Sequence, residues 1–94
     1  MKIKIITIRL NIKGKVQGVW YRGWFSKNAQ NLNLSGYIKN LNDINSVESL
    51  IQGNKENIKK MIELSKIGTS MSRVDNVYEE KVLTKEIYKS FIVK

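Results

Sequence analysis

Hydrophobic and polar residues alternate along residues 6–13, which read Ile-Thr-Ile-Arg-Leu-Asn-Ile-Lys. A period of two is typical of a strand with one buried face. Further along, the apolar positions recur every three or four residues, as on one face of a helix: Tyr21, Phe25, Ala29 and Leu32. This pattern predicts a helix over 22–33, ended by Asn33. Residues 14–21 between the two elements are predicted to form a loop.

The rest of the chain repeats the same kinds of pattern. Asn54 is suited to cap the start of a second helix, and Gly68 suits a left-handed position at its end. The predicted elements are, in order, strands 35–40 and 46–52 joined by a tight turn at 41–45, a helix over 55–67, a weaker strand over 73–82 and a short final strand over 91–93.

The predicted order is β-α-β-β-α-β with a short extra strand at the end. This is the split βαβ arrangement of ferredoxin-like domains. We therefore expect an α+β fold, a ferredoxin-like α/β sandwich with two helices on one face of an antiparallel sheet and a possible short fifth strand. We expect residues 1–94 to form a single domain, because no linker or low-complexity stretch divides them.

Composition excludes several kinds of chemistry. The chain has no cysteine and no histidine, so thiolate catalysis, sulfur-ligated zinc and the commonest general base are absent. Its net charge of +9 comes from scattered lysines, which favours an anionic ligand only modestly. No apolar run approaches the roughly 20 residues of a membrane span. We expect no membrane association and a cytoplasmic location.

The segment between the first strand and the first helix is rich in features that suit an anion. Residues 14–22 read Gly-Lys-Val-Gln-Gly-Val-Trp-Tyr-Arg. Two glycines permit a sharp turn and close approach of main-chain N–H groups to a ligand. A helix N-terminus adds unpaired N–H groups and a positive dipole end, and Arg22 adds a planar cationic fork. This combination predicts a site for a small phosphate-bearing ligand.

The same segment, followed by Gly-Tyr-Ile-Lys-Asn at 36–40, Val-Glu at 47–48 and Ile-Gln-Gly at 51–53, resembles the acylphosphatase family. Similar residues also stand at 73–75 and 91–94, so the resemblance spans almost the whole chain. It implies hydrolysis of the carboxyl–phosphate bond of acyl phosphates without metal or cofactor. It also implies that Arg22 binds phosphate as the catalytic arginine and that Asn40 orients the water. The implied phosphate cradle is the backbone of Lys15, Val16, Gln17, Gly18, Val19, Trp20 and Tyr21.

Two departures from the family pattern give further expectations. The turn after Asn40 is one residue longer and lacks glycine, so we expect Asn45 or Asp43 to take a positive φ. Trp20 stands where the family often has a smaller residue or Phe, and we expect it to shape the pocket wall. Trp24 is open to two interpretations, the edge of the pocket or simple packing at the helix rim.

The resemblance suits a chain with so few reactive side chains. The carboxylate that leaves an acyl phosphate has a conjugate acid with a pKa of roughly 4, so no general acid is needed. Catalysis then reduces to holding the phosphoryl group and aiming a water in line. We expect a monomer whose partner is a small acyl phosphate.

Two alternatives stay open. One is a binding module that keeps the cradle without catalysis; similar domains occur in larger carbamoyl-transfer maturation proteins, whose other parts these 94 residues do not include. The other is a nucleic-acid-binding ferredoxin-like domain, suggested by the net charge of +9. We rank it lower, because RNA-binding versions present aromatic residues on their central strands and Tyr37 is the only aromatic in the two middle hairpin strands.

Overall fold

A computed structural model describes residues 4–94, which form a sheet with two helices packed on it. The elements are β1 (Ile5–Lys15), α1 (Tyr21–Asn31), β2 (Ser35–Asn40), β3 (Ser46–Asn54), α2 (Lys55–Ile67), β4 (Arg73–Lys81) and β5 (Phe91–Val93).

The sheet has five strands in the order β4-β1-β3-β2-β5. The first four pair antiparallel, and β5 pairs parallel with β2. The sheet is therefore antiparallel as expected, and the short fifth strand at one edge is parallel to its neighbour. The reason is topological: β4 and β5 lie at opposite edges, so the chain crosses the sheet between them and cannot return through a hairpin.

Alternation along the strands decides which face is covered. Leu10 and Ile12 of β1, Val47 and Ile51 of β3 and Ile38 of β2 are fully buried under the helices. Phe25 and Ala29 of α1 and Ile58 and Met61 of α2 complete this core, as their helical spacing predicts. The core lies on the side of the sheet from which the segment 16–20 and the start of α1 emerge.

The predicted elements all exist, with shifted ends. Strands β2 and β5 and helix α2 have the predicted bounds, whereas α1 begins and ends earlier than predicted, at Tyr21 and Asn31. Strand β1 extends beyond the predicted 6–13, because its far end pairs with β4 across a bulge at Lys13/Gly14. Strand β3 runs on to Asn54, and β4 stops at Lys81.

The helix ends follow the sequence signals with one correction. Asn33 takes a φ of 56°, and the Leu34 N–H bonds back to the Ala29 carbonyl at 2.9 Å, which ends α1 as predicted. Asn54 caps α2 by accepting from the N–H of Asn57 at 2.8 Å. Gly68 takes the positive φ that the prediction requires, 71°, but its ψ of −157° lies outside the left-handed helical region.

Within residues 4–94, neither helix is long and apolar enough to span a membrane. In the same range, no group of three or more acidic side chains is placed to hold a metal ion, and the chain has no Cys or His to add to one.

Candidate active site

The segment 16–20 leaves β1 and reaches the start of α1 as an exposed loop fixed at two points. The side chains of Val16 and Val19 are buried in the core. Gly18 lies between them with a φ of 74°, and a Cβ on it would meet nothing within 4 Å. Glycine is therefore needed here for backbone conformation and not for space. The main-chain N–H groups of residues 17–20 donate no hydrogen bond to another part of residues 4–94, so they are able to bind an anion.

Gly14 has a different role from Gly18. It lies inside β1 with a φ of 143°, and a Cβ on it would collide with the carbonyl of Arg73 in β4. Its N–H donates to the carbonyl of Asn45 at 2.9 Å. The expectation that glycine brings its N–H to a ligand is therefore wrong for Gly14, which allows two strands to approach and whose N–H is already used.

The two helices begin in contrasting ways. Asn54 caps α2, and Glu56 lies in its first turn. The residue at the N-cap of α1 is Trp20, whose side chain makes no capping hydrogen bond, and the first turn of α1 has no acidic residue. Among residues 4–94, therefore, no capping side chain and no acidic residue of the first turn neutralises the N–H groups and the positive dipole end of α1, as an anion site requires.

Arg22 stands in the first turn of α1, next to these N–H groups. Its Nη1 donates to the main-chain oxygen of Lys94 at 2.6 Å, and the Lys94 N–H donates to the carbonyl of Ile38 at 2.8 Å. These bonds fix the guanidinium relative to β2. They use one edge of the fork, so its remaining donors are able to bind an oxyanion.

Asn40 ends β2 at the same end of the sheet. Its register partner is Val47, which in turn pairs with Ile12, so Asn40 lies on the helix-covered face and beyond the edge of the core. Asn40 is exposed. It lies two residues beyond Ile38, whose carbonyl accepts from Lys94 and so connects Arg22 to this strand. The fold thus brings Arg22 and Asn40 to one end of one face, although Asn40 is not part of the pocket wall described below.

The turn after Asn40 is held by Asp43 and not by a positive φ. Within residues 4–94 the only non-glycine residues with positive φ are Trp20 and Asn33, so the expectation for Asn45 or Asp43 is wrong. The Asp43 carboxylate instead accepts from the Asn45 N–H at 3.0 Å and from the Ser46 hydroxyl at 2.9 Å. These bonds close the longer turn without glycine and hold the pKa of the Asp43 carboxyl below its usual value.

Gln17 joins the loop to this turn. Its Nε2 lies 3.0 Å from the Leu41 carbonyl, 3.1 Å from that of Asp43 and 2.8 Å from that of Ser46. The side chain of a predicted cradle residue therefore connects residues 16–20 to the residues that follow Asn40.

A pocket of about 450 Å³ opens beside Arg22. Its walls are Val16, Gly18, Trp20, Tyr21, Arg22, Gly23 and Val93. Trp20 has 70% of its surface exposed and stands on the wall as expected. Trp24 does not line this pocket; its ring lies 5.3 Å from that of Tyr21 and packs against the core.

Lys15, the first residue of the predicted cradle, is exposed at the end of β1.

Tyr21 is a structural member of the loop. Its ring is buried, and its hydroxyl donates to the carbonyl of Ser65 in α2 at 2.8 Å. Burial raises the pKa of the Tyr21 hydroxyl far above its ordinary value. Its side chain therefore anchors α1 to α2.

Comparison with known proteins shows the family of this chain. The acylphosphatase family model matches residues 8–93. The chain belongs to the acylphosphatase family. It is 42% identical to an acylphosphatase of Caldanaerobacter subterraneus subsp. tengcongensis, over 90% of this chain and 93% of that protein. The structure of an acylphosphatase from Coxiella burnetii superposes with a TM-score of 0.89 at 33% identity, covering 96% of this chain and 93% of that one.

A longer protein shares the same domain. The chain is 37% identical to a probable carbamoyltransferase HypF of Methanocaldococcus jannaschii, over 92% of this chain but only 11% of that protein. The acylphosphatases of C. subterraneus and C. burnetii, in contrast, are each covered over 93% of their length. The family assignment makes the chain an enzyme, an acylphosphatase of the acid-anhydride hydrolase class.

Two features of this acylphosphatase site escaped the sequence analysis. The first is the set of bonds from Gln17 to the turn, which depends on a contact between residues 24 to 29 positions apart. The second is Val93, which β5 brings to the pocket wall through its parallel pairing with β2. Neither has a local signal in the sequence.

Proposed function

We propose that this acylphosphatase binds the phosphoryl group of an acyl phosphate between the N–H groups of loop 16–20 and the guanidinium of Arg22. The observation that carries the proposal is the uncapped start of α1, where unpaired N–H groups and Arg22 meet at the mouth of one pocket. Such preorganised donors stabilise the negative charge that phosphoryl transfer spreads over the equatorial oxygens.

The reaction we propose is a single in-line displacement. A water oxygen forms a bond to phosphorus while the bond between phosphorus and the carboxyl oxygen breaks, and the electron pair leaves with the carboxylate. That carboxylate is stable at neutral pH, because its conjugate acid has a pKa of roughly 4. The proton of the attacking water passes to a phosphate oxygen. No side chain in this scheme has to act as a general base.

We assign the orientation of this water to Asn40. A carboxamide carries both a donor and an acceptor, so it is able to hold a water without deprotonating it. The proposal is supported by the position of Asn40 at the same end of the helix-covered face as Arg22. It is also supported by the asparagine's exposure, which leaves the amide accessible to solvent.

The outer face of the sheet argues for a small substrate over a nucleic acid. Tyr37, the aromatic residue of the middle strands, donates its hydroxyl to Glu48 at 2.7 Å. Glu80 lies on the same face in an ion pair with Arg9. The Lys94 ammonium lies 4.2 Å from the centroid of the Tyr37 ring and covers its face, so the ring is not open to stack on a base. All groups named in this proposal come from one chain, and we propose a monomer in the cytoplasm as the active form.

The test is hydrolysis of benzoyl phosphate in the presence of a chelator, with wild type, Arg22→Ala and Asn40→Ala. Loss of a preorganised donor costs roughly 100- to 1000-fold in kcat. We expect Arg22→Ala to raise KM and lower kcat, and Asn40→Ala to lower mainly kcat. Arg22→Lys should also be poor, because a point charge does not reproduce the fork.

Two matched controls separate these roles from general damage. Arg9→Ala removes an arginine on the opposite face of the sheet, and Asn42→Ala removes an exposed asparagine from the same turn as Asn40. Both should keep wild-type rates. Near-wild-type rates in Arg22→Ala and Asn40→Ala, with both proteins folded, would contradict the assigned roles.

A further inference from the structure

Trp20 stands in a conformation that is unfavourable for its residue type. Its φ of 63° and ψ of 20° are left-handed helical, which side chains other than Gly, Asn and Asp rarely adopt. Its ring is also 70% exposed to water. It makes no capping hydrogen bond that would explain either feature. Strain of this kind persists where the surrounding structure imposes it, and it concentrates at functional sites.

Gly23 leaves the space in which the Trp20 ring lies. A Cβ on Gly23 would lie 2.9 Å from Cε2 and from Cζ2 of the Trp20 indole, so the ring rests directly on the main chain of α1. The φ of Gly23 is not in the positive range, so its backbone conformation does not require glycine. A glycine inside a helix is unfavourable relative to alanine. Its presence is explained by the space that the indole occupies.

The indole is thereby held as one wall of the pocket that contains Arg22. Val93, which is 44% exposed, and the buried Val16 line the same pocket. The pocket of about 450 Å³ is far larger than a phosphoryl group needs. The loop N–H groups and Arg22 form its polar part, and Trp20 and Val93 offer apolar surface to the remainder of a substrate.

We propose that Trp20 is a specificity-determining residue, whose ring stacks on the acyl group and selects acyl phosphates with aromatic or extended apolar acyl chains over acetyl phosphate. The inference rests on the proposed binding of the phosphoryl group at Arg22. A flat ring against a fixed indole gains stacking in addition to buried area. An acetyl group is too small to cover the ring and gains little.

The test compares kcat/KM for benzoyl phosphate and acetyl phosphate in wild type, Trp20→Ala, Trp20→Gly and Trp20→Phe. A contact of this size discriminates by roughly 10- to 200-fold in a closed apolar pocket, and we expect about 10-fold here because the ring is open on one side. The benzoyl-to-acetyl ratio should fall by that factor in Trp20→Ala and Trp20→Gly. It should stay within about twofold in Trp20→Phe, which keeps an aromatic face.

Trp20→Gly protects the test against a folding defect, because glycine accepts the positive φ that alanine resists. Trp24→Phe is the matched control, an aromatic exchange on the same helix outside the pocket, and its ratio should equal that of wild type. It also leaves Trp20 as the only tryptophan of the chain. Benzoylphosphonate, which cannot be hydrolysed at a carboxyl–phosphate bond, should change Trp20 emission in this variant, whereas inorganic phosphate should change it much less.

The outcomes separate the two claims. A wild-type enzyme that hydrolyses both substrates, with the same ratio in Trp20→Ala and Trp20→Gly, overturns the specificity role and leaves the proposed function intact. Unchanged Trp20 emission at benzoylphosphonate concentrations that inhibit turnover overturns it too. A folded wild type that hydrolyses neither acyl phosphate overturns the proposed function, and this inference with it.

Discussion

Replacement of Gln17 by Met is the sharpest perturbation that the structure offers away from the proposed catalytic groups. Methionine keeps the length and the volume of the side chain but removes the amide that points at three carbonyls in the turn after Asn40. The change therefore detaches the phosphate loop from that turn without opening a cavity.

The magnitude follows from the geometry. An amide nitrogen carries two hydrogens, so at most two of the three bonds from Gln17 are well formed at one time. The carbonyls of Asp43 and Ser46 also accept main-chain N–H groups, at 3.0 and 3.1 Å, and keep a partner in the variant. At about 1 kcal/mol for each bond, we expect unfolding free energy to fall by about 1–2 kcal/mol. For a domain of this size, Tm falls by about 4–8 °C per kcal/mol.

Activity should suffer more than stability. A shift of about 1 Å in a positioning element is able to cost roughly 100-fold in rate. We expect Gln17→Met to lose about 10- to 100-fold in kcat/KM for benzoyl phosphate, assayed at a temperature where it is fully folded. Gln17→Glu should be worse, because its carboxylate would face carbonyl oxygens.

Gln30→Met supplies the control, since it is the same exchange at an exposed position of α1, where the amide donates to the Ser26 hydroxyl one turn earlier at 3.0 Å, a contact worth only a few tenths of a kcal/mol. It should leave both Tm and turnover near wild type. A Gln17→Met protein with wild-type turnover would refute the idea that this amide positions the loop, whatever its Tm.

Two further predictions concern parts of the fold outside the pocket. Gln52 is buried, and its amide donates to the Glu86 carbonyl at 2.8 Å and accepts from the Tyr88 N–H at 2.8 Å. Gln52→Met should therefore lower the free energy of unfolding, measured by denaturant titration, by about 2–3 kcal/mol and leave turnover unchanged. Hydrogen bonds, chiefly from the Asn45 N–H, lower the pKa of the Asp43 carboxyl in the folded protein below its ordinary value of 3.8. The Asp43 carboxylate therefore stabilises the fold fully when the pH is above 3.8, and this stabilisation is lost as the pH falls through the lower pKa of the folded state. Asp43→Asn should therefore lower Tm at neutral pH and reduce the decline of Tm below about pH 4; an unaltered acid decline would contradict this.

Local patterns predicted most of the fold because they act over short distances. The bounds of α2 follow from Asn54, which caps its start, and from Gly68, which directly follows its last residue. The extension of β1 past Lys13 depends instead on β4, sixty residues further along the chain at Asn76 and Val74. Similarly, the parallel pairing of β5 depends on where the segment 82–90 ends after it has crossed the sheet, and no local sequence pattern indicates that position.

In the candidate site, too, the residues with a signal in the sequence were predicted and the features that depend on distant contacts were not. Arg22 was indicated by the loop before it, the role of Asn40 was implied by the family resemblance, and the fold brings both residues to one end of the sheet. The left-handed backbone of Trp20 had no local signal, since tryptophan is a poor residue for that conformation. The turn at Asp43 was expected to need a positive φ, but side-chain acceptors closed it instead. Side chains that replace backbone conformations are difficult to foresee from composition alone.

The two edges of the sheet also bear on how the protein behaves at high concentration. Within residues 4–94, β4 forms one edge and β5 the other. An unpaired edge strand is a template for another chain, and proteins guard against this with charged or very short edges. Strand β4 carries charged residues at both of its ends, and β5 has three residues. With a net charge of +9 adding mutual repulsion, this architecture opposes edge-to-edge aggregation.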